Sequence, residues 1–375
     1  MKNTNPKRQR GRGAKIKELT VKNFTVFDEA KFEFSPGLNV IIGENGTGKS
    51  HLLKLMYAIV KGSTNPDHST QDLAEALVAS QHGVLQKLRA VFMPEHGRLE
   101  RLVRNGARSG ASLRLATDGA AVEMSIQPAK QRGLSPIYGF EGSPQFDLAT
   151  PCVFLPPADV LALYEGFIGS YAKRALSLDE TYNDLCIELD VPLLREEPEW
   201  AIAMLRRIEK LIGGKVVVKG GRFYIGKLEA HLVAAGYRKL GEIVRLIGNG
   251  SITSETVLFW DEPEAGLNPR LITLVSELVF LLAKVGVQVF VATHDFLLSD
   301  QLSVAVEYGT EEGKAANARF FGLSRPKPNA SVVIESGGVL ADIQNNPILA
   351  EYAEQSDRER RLFSGESAAA AKRGP

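Results

Sequence analysis

The chain has 375 residues, and its 44% hydrophobic and 24% charged content is ordinary for a globular protein with a sizeable core. Its 45 basic and 44 acidic residues leave a net charge of +1, so bulk charge argues neither for nor against a nucleic-acid partner. The two cysteines, Cys152 and Cys186, exclude a disulfide or zinc framework and suit a reducing cytoplasm.

The opening MKNTNPKRQR lacks the apolar core of a secretory signal, and no run of 18 apolar residues occurs, so the expectation is a cytoplasmic protein with no membrane span. Residues 1–15 read as a disordered basic arm. Residues 1–17 hold Lys2, Lys7, Arg8, Arg10, Arg12, Lys15 and Lys17 without one acid, a pattern that can also neutralise DNA phosphates. From 16 to 35, Ile16, Leu19, Val21, Phe24, Phe32 and Phe34 alternate with polar residues, as in an antiparallel layer.

Next, Leu38-Asn39-Val40-Ile41-Ile42 reads as a buried strand and His51 onward as a helix. Between them stands Gly43-Glu44-Asn45-Gly46-Thr47-Gly48-Lys49-Ser50, which fits the phosphate-binding pattern G-x-x-x-x-G-K-[ST] in its required strand–loop–helix context. Glycines there let backbone N–H groups curl round a β-phosphate at a helix N-terminus. Lys49 is placed to reach the β- and γ-phosphates, and the Ser50 hydroxyl to take a Mg²⁺ position. A nucleoside triphosphate is the expected ligand.

The helix fades near Lys61-Gly62-Ser63, and residues 63–150 read as a β and helical lobe. It comprises a helical pattern over 72–108 carrying Arg98, Arg101, Arg104 and Arg108, a hairpin over 112–127 around Asp118-Gly119, and a loop over 133–150. Residues 151–214 read as a helical insertion behind a strand at 151–155 that Pro156-Pro157 stops. In it Ile202, Leu205, Ile208 and Leu211 share one apolar face. A hairpin turning on Gly220-Gly221 follows.

Val257-Leu258-Phe259-Trp260 suits a fully buried parallel strand and ends in Asp261-Glu262-Pro263. An Asp there can hold Mg²⁺ through water, and the adjacent Glu can act as general base toward an attacking water. A second buried strand over 287–292 ends in Thr293-His294-Asp295, where a histidine can contact a γ-phosphate or that water. Late strands at 319–323 and 332–335, a helix ending near Phe363 and a low-complexity tail over 364–375, expected to be disordered, complete the chain.

Taken in order, these motifs resemble the ABC-type ATPases, and within them the SMC/RecF/OLD-like "AAA family ATP-binding" group. The resemblance rests on Lys22-Asn23-Phe24 and Pro36-Gly37-Leu38-Asn39-Val40 leading into GENGTGKS, on WDEPEAGLNP at 260–269, and on Ala292-Thr293-His294-Asp295. It covers 16–60 and 215–300 well and 300–350 weakly. It implies an α/β fold of P-loop NTPase, ABC-ATPase type: a mixed sheet flanked by helices, with an antiparallel β layer and a helical insertion, and a core of 16–62 and 215–352. It implies ATP and Mg²⁺ as ligands, Lys49, Glu262 and His294 as catalytic residues, Ser50 and Asp261 at the metal, and 43–50 around the nucleotide.

The family's signature sequence falls on Ala234-Ala235-Gly236-Tyr237-Arg238-Lys239-Leu240. Its serine position is Ala234, which has no hydroxyl. Two readings stay open: Gly236 and the helix behind it face the partner's γ-phosphate, with charge from Arg238 or Lys239, or Gly236 is a close-packed helix start. The family's Mg²⁺-sensing glutamine has no clear counterpart; Asp159 stands near its place, and an N-cap of a helix from Val160 explains it equally well. Ser50 to Ala234 holds no sustained heptads, so no SMC coiled coil is expected. Nor is a Toprim nuclease, because Glu307, Glu311 and Glu312 fall in a Gly-containing loop.

The resemblance implies a homodimer that closes head to tail over ATP and controls a separate effector, as in anti-phage defence. A RecF-like DNA-binding repair ATPase and a nucleotide switch with negligible turnover are alternatives. A transporter subunit fits worst, since the signature lacks Ser and Gln.

Overall fold

A computed structural model describes residues 13–64, 73–128, 136–141, 150–173, 176–309, 311–327 and 330–363. The arm up to residue 12, most of the expected loop over 133–150, and the tail over 364–375 lie outside these residues.

In chain order, β1 (Ile16–Phe24) and β2 (Phe27–Glu33) pair antiparallel, and β3 (Leu38–Gly43) leads to α1 (Lys49–Ser63) and α2 (Leu73–Phe92). Then come β4 (Ala111–Thr117), β5 (Ala121–Gln127), β6 (Ile137–Glu141) and β7 (Cys152–Leu155). Helices α3 (Phe167–Ala172), α4 (Glu180–Asp190) and α5 (Ile202–Ile212) precede β8 (Val216–Lys219), β9 (Arg222–Ile225), β10 (Leu228–Glu229) and α6 (Ala235–Gly248). The last part runs β11 (Val257–Asp261), α7 (Pro269–Lys284), β12 (Gln288–Thr293), α8 (Phe296–Glu307), α9 (Glu311–Ala315), β13 (Ala318–Ser324), β14 (Val333–Gly337) and α10 (Pro347–Phe363).

The central sheet has the order β14-β13-β3-β12-β11-β7, parallel except for β14. Every residue of β3, β7, β11 and β12 is buried, the signature of parallel strands covered on both faces. Because side chains alternate, each strand feeds two cores. Val40, Ile42, Leu258, Trp260, Val289 and Val291 face one core with α4 to α8; Ile41, Phe259 and Phe290 face the other. The second core lies under α1, α2 and the antiparallel sheet β2-β1-β4-β5-β6. Phe34, Phe290, Phe259 and Phe154 form a continuous aromatic row across it, with centroids 5.0, 5.1 and 6.4 Å apart.

The structure differs from the sequence reading at five points. The helix expected over 72–108 stops at Phe92, because Pro94 supplies no N–H and disfavours a helical Met93; two 3₁₀ turns follow. Arg98 and Arg101 project from those turns toward Glu95, and Arg104 reaches Ser331, so the four arginines do not share a helix face. The loop expected over 133–150 contains β6, which pairs with β5. Lys15 belongs to the folded body: its ammonium donates to Gly286 O at 2.5 Å. Glu307 and Glu311 stand in α8 and α9, not in a loop.

The inserted helices are tied to the helix after the phosphate loop by charge. Lys54 pairs with Asp179 at 2.8 Å and Lys61 with Glu188 at 3.1 Å. Buried Tyr57 donates to Asp184 Oδ2 at 2.6 Å, and Lys87 meets the same carboxylate at 3.1 Å. No helix among the described residues is long and apolar enough to cross a membrane. Asp184→Ala strands the buried Tyr57 hydroxyl and leaves Lys87 with Glu180 alone, and chemical denaturation should show a loss of about 1–3 kcal/mol.

Candidate nucleotide site

Parallel pairing sets the carboxyl ends of β3, β12 and β11 side by side, with Thr293 opposite Ile42 and Asp261 opposite Ala292. Three sequence-distant segments therefore meet where α1 begins. Gly43 closes β3, Glu44, Asn45 and Gly46 form an exposed crown, and Thr47 is buried with its hydroxyl donating to Glu44 O at 2.8 Å. Gly48 precedes α1 at φ 96°, where an added Cβ would lie 2.5 Å from Val26 Cγ2, so both backbone and space require glycine. Lys49 folds back over the loop and donates to Gly43 O at 2.7 Å and Glu44 O at 3.0 Å. Burial pushes its pKa down, while Glu262 and Asp261 pull the other way.

Asp261 is 1% exposed and takes a hydrogen bond from the Ser50 side chain, yet its Oδ1 has no partner among the described residues. Burial raises its pKa from 3.8 to about 6, against the Ser50 bond. An orphaned carboxylate oxygen beside a hydroxyl, at the foot of a phosphate loop, fits a divalent cation. No group of three or more His, Cys, Asp or Glu suited to a metal occurs among the described residues. A cation here therefore needs phosphate oxygens and water to complete its shell, the habit of Mg²⁺.

Glu262 occupies the left-handed region at φ 48°. Its N–H donates to Ala292 O at 2.8 Å, and its carbonyl accepts from Ala265 N at 3.0 Å and from Lys239 Nζ at 2.5 Å. Such a strained backbone persists only where its surroundings over-determine it. The Glu262 carboxylate lies 3.1 Å from His294 Nδ1, which is also 3.6 Å from Glu264 Oε1. Glu264 in turn accepts the Thr293 hydroxyl at 2.7 Å and the His294 N–H at 3.3 Å.

Of these side chains Glu264 escaped the sequence reading, and Lys239 was read only as a source of charge toward a partner's phosphate. Glu264 sits in the same acidic turn as Asp261 but carried no motif of its own. Lys239 had a signal: it falls at helical spacing with Gly236, Ile243 and Leu246, on the buried face of α6.

Close packing, one of the two readings left open by the sequence, describes the start of α6. Ala234 and Ala235 are exposed, but an added Cβ on buried Gly236 would lie 2.9 Å from both Gly266 O and Leu267 Cδ2. The glycine is thus required by close packing on the turn after β11. Arg238 is not a free charge; it forms a two-pronged pair with Asp159 at 2.6 and 3.0 Å. Lys239 is buried, donating to Pro157 O at 2.9 Å as well as to Glu262 O. Asp159 caps no helix, because residues 161–163 form a turn, and its carboxylate is taken up by Arg238. The Val160 N–H instead meets Glu242, whose pKa burial raises to about 8.

Two segments of the chain match known protein families. Residues 15–96 match the family described as "AAA ATPase domain", and residues 225–300 match "AAA domain, putative AbiEii toxin, Type IV TA system". The chain is 37% identical over 59 residues to the DNA replication and repair protein RecF of Desulfitobacterium hafniense, covering 16% of each. To RecF of Halalkalibacterium halodurans it is 29% identical over 126 residues, which is 33% of this chain and 29% of that protein. A solved SMC head, bound to the C-winged helix domain of ScpA, shares the fold at TM-score 0.50 and 15% identity, over 87% of this chain and 98% of the other. The matches at both ends of the chain are to AAA ATPase domains and RecF proteins, and the fold is that of an SMC head. The matched segments span 16% and 29% of the length of the two relatives named.

The Asp261 carboxyl gives the protein a pH-dependent stability. Its raised pKa means that between 3.8 and about 6 the native state holds a proton the unfolded chain has released, so stability falls as pH rises through that window. Asp261→Asn removes this cost. In nucleotide-free protein without Mg²⁺ it should be more stable than wild type at pH 8, by on the order of 2–3 kcal/mol, with the gap closing toward pH 4 in denaturant titrations.

Proposed function

We propose that this protein binds and hydrolyses ATP with Mg²⁺ in a head-to-tail homodimer, in the cytoplasm, and that its cycle controls a separate effector protein. In this reading residues 16–62 and 215–352 form the ATPase core, and 63–150 and 151–214 are its lobes. One observation carries the dimer: Ala234, Ala235, Gly266 and Asn268 are exposed, around the contact of the α6 N-terminus with the turn after β11. A second copy presenting this strip to the first copy's phosphate loop would make a two-fold interface in which one patch serves both subunits.

The backbone of Gly43, Glu44, Asn45, Gly46, Thr47 and Gly48 would cradle the β-phosphate, and Lys49 would exchange its two carbonyl acceptors for phosphate oxygens. Ser50 and Asp261 would hold Mg²⁺, which supplies charge neutralisation between the β- and γ-phosphates. Glu262 would take a proton from water as the water oxygen bonds to the γ-phosphorus and the bond to ADP breaks. His294, held at Glu262, would contact that water or the γ-phosphate. The partner's α6 N-terminus, Gly236 included, would cap the γ-phosphate by backbone and dipole alone, since Ala234 offers no hydroxyl.

An effector role is supported by the putative-toxin description of the family matching 225–300. A RecF-like role on DNA draws on the RecF relatives and on Arg98 and Arg101, both half exposed. ATPase rates with and without DNA across a salt series separate the two: stimulation that fades with salt favours DNA.

Light scattering tests the cycle. Glu262→Gln should form a dimer on addition of ATP and Mg²⁺ and hold it, while wild type reverts as ATP is consumed. Turnover at the wild-type rate in Glu262→Gln would refute the base assignment, and a wild type that stays dimeric without turnover would mark a nucleotide switch. Lys49→Ala should lose ATP affinity in equilibrium titration; unchanged affinity would remove the phosphate loop from the site.

A further inference from the structure

Glu264 is a third acidic group at the site, and the scheme above leaves it without a task. It is 7% exposed, in the turn between β11 and α7. The backbone already closes that turn, with Ala265 N donating to Glu262 O at 3.0 Å and Leu267 N to Glu264 O at 2.9 Å. The side-chain bonds run elsewhere, to the end of β12: Oε1 takes the Thr293 hydroxyl at 2.7 Å and the His294 N–H at 3.3 Å. Oε2 is buried with no hydrogen-bond partner among the described residues. A carboxylate half-satisfied in the interior costs stability, and burial raises its pKa despite Thr293. Closing a turn does not require such a group.

We propose that Glu264 is a positioning residue for hydrolysis, which fixes the Thr293-His294 backbone so that the His294 ring stands against Glu262. The proposal rests on the reading of Glu262 as base and His294 as its partner. Nδ1 faces two carboxylate oxygens, Glu262 Oε1 at 3.1 Å and Glu264 Oε1 at 3.6 Å, and both only accept. Nδ1 therefore carries a hydrogen, and Nε2 is the ring nitrogen left to the reacting groups. Without Glu264, the Thr293 hydroxyl and the His294 N–H lose their shared acceptor, and the ring loses its fixed distance to Glu262. Catalytic groups tolerate displacements of only a fraction of an ångström before rate is lost.

The test is steady-state hydrolysis and equilibrium ATP binding for wild type, Glu264→Ala, Glu264→Gln, His294→Ala and the double variant Glu264→Ala/His294→Ala. Glu264→Ala should lower kcat roughly tenfold to a hundredfold while ATP affinity stays within about twofold. Glu264→Gln, which keeps an oxygen acceptor for Thr293 and His294, should recover the larger part of that loss. On the His294→Ala background, Glu264→Ala should cost less than about twofold more, because its effect passes through the ring. An equal loss on both backgrounds would overturn the proposal alone, as would a Glu264→Ala variant that loses ATP affinity along with turnover. Should Glu264→Ala melt too low to assay, Thr293→Val replaces it. That variant should slow wild type and not His294→Ala, and equal slowing of both contradicts the proposal. His294→Ala turning over at the wild-type rate would fail the site reading itself, and this proposal with it.

Discussion

In-register parallel pairing of β3 with β12, and of β12 with β11, holds three strand ends level, and each functional group hangs from one of them. The phosphate loop leaves β3 at Gly43, Asp261 ends β11, and Thr293 ends β12 with His294 next in the chain. These strands are buried on both faces, so a shift of one residue would exchange the two cores, sending Ile41 and Phe259 where Ile42 and Trp260 now pack. The cores therefore fix the register, and the register fixes the site. Packing of large side chains such as Trp260, Phe259 and Phe290 on either face sets atoms that the chemistry needs within tenths of an ångström.

That scaffold supports groups that would be unfavourable on their own. Asp261 is ionisable, almost fully buried and half-partnered; Glu262 sits at a positive φ; Lys239 holds an ammonium in the interior among three carbonyls. Each is a local cost of the kind that gathers at functional sites. They are also linked. The Lys239 ammonium joins α6 to the Glu262 and Ala265 carbonyls and to Pro157, so the helix whose tip faces outward is bonded to the backbone of the proposed base. Arg238 and Asp159 tie the same helix to the segment after β7.

The helical insertion is no loose appendage on this frame. Lys54 and Lys61 on α1 meet Asp179 and Glu188 around α4, and Tyr57 reaches Asp184 through a buried hydrogen bond. Asp179 also caps α4 through the Thr181 N–H. The helix that carries Lys49 and Ser50 at its start thus has its far side bound to the insertion.

The local pattern of the candidate site was legible in the sequence. A loop that must wrap a phosphate needs glycine at fixed places, a lysine and a hydroxyl, and these read directly from 43–50. Apolar runs ending in Asp261-Glu262 and Thr293-His294 announced buried strands with polar tips, and period-2 and period-3.6 patterns marked most other elements. Tertiary structure alone decided what each charged residue faces. Arg238 and Lys239 lay in the signature segment and Asp159 near the place of the sensing glutamine, and the chain could not say that Arg238 would pair with Asp159 while Lys239 held carbonyls. Glu264 looked like one more acid in a turn until β12 stood beside β11. Short-range propensity is written in neighbouring residues, whereas partners far apart in sequence are set by strand order and register, which arise only when the two cores close.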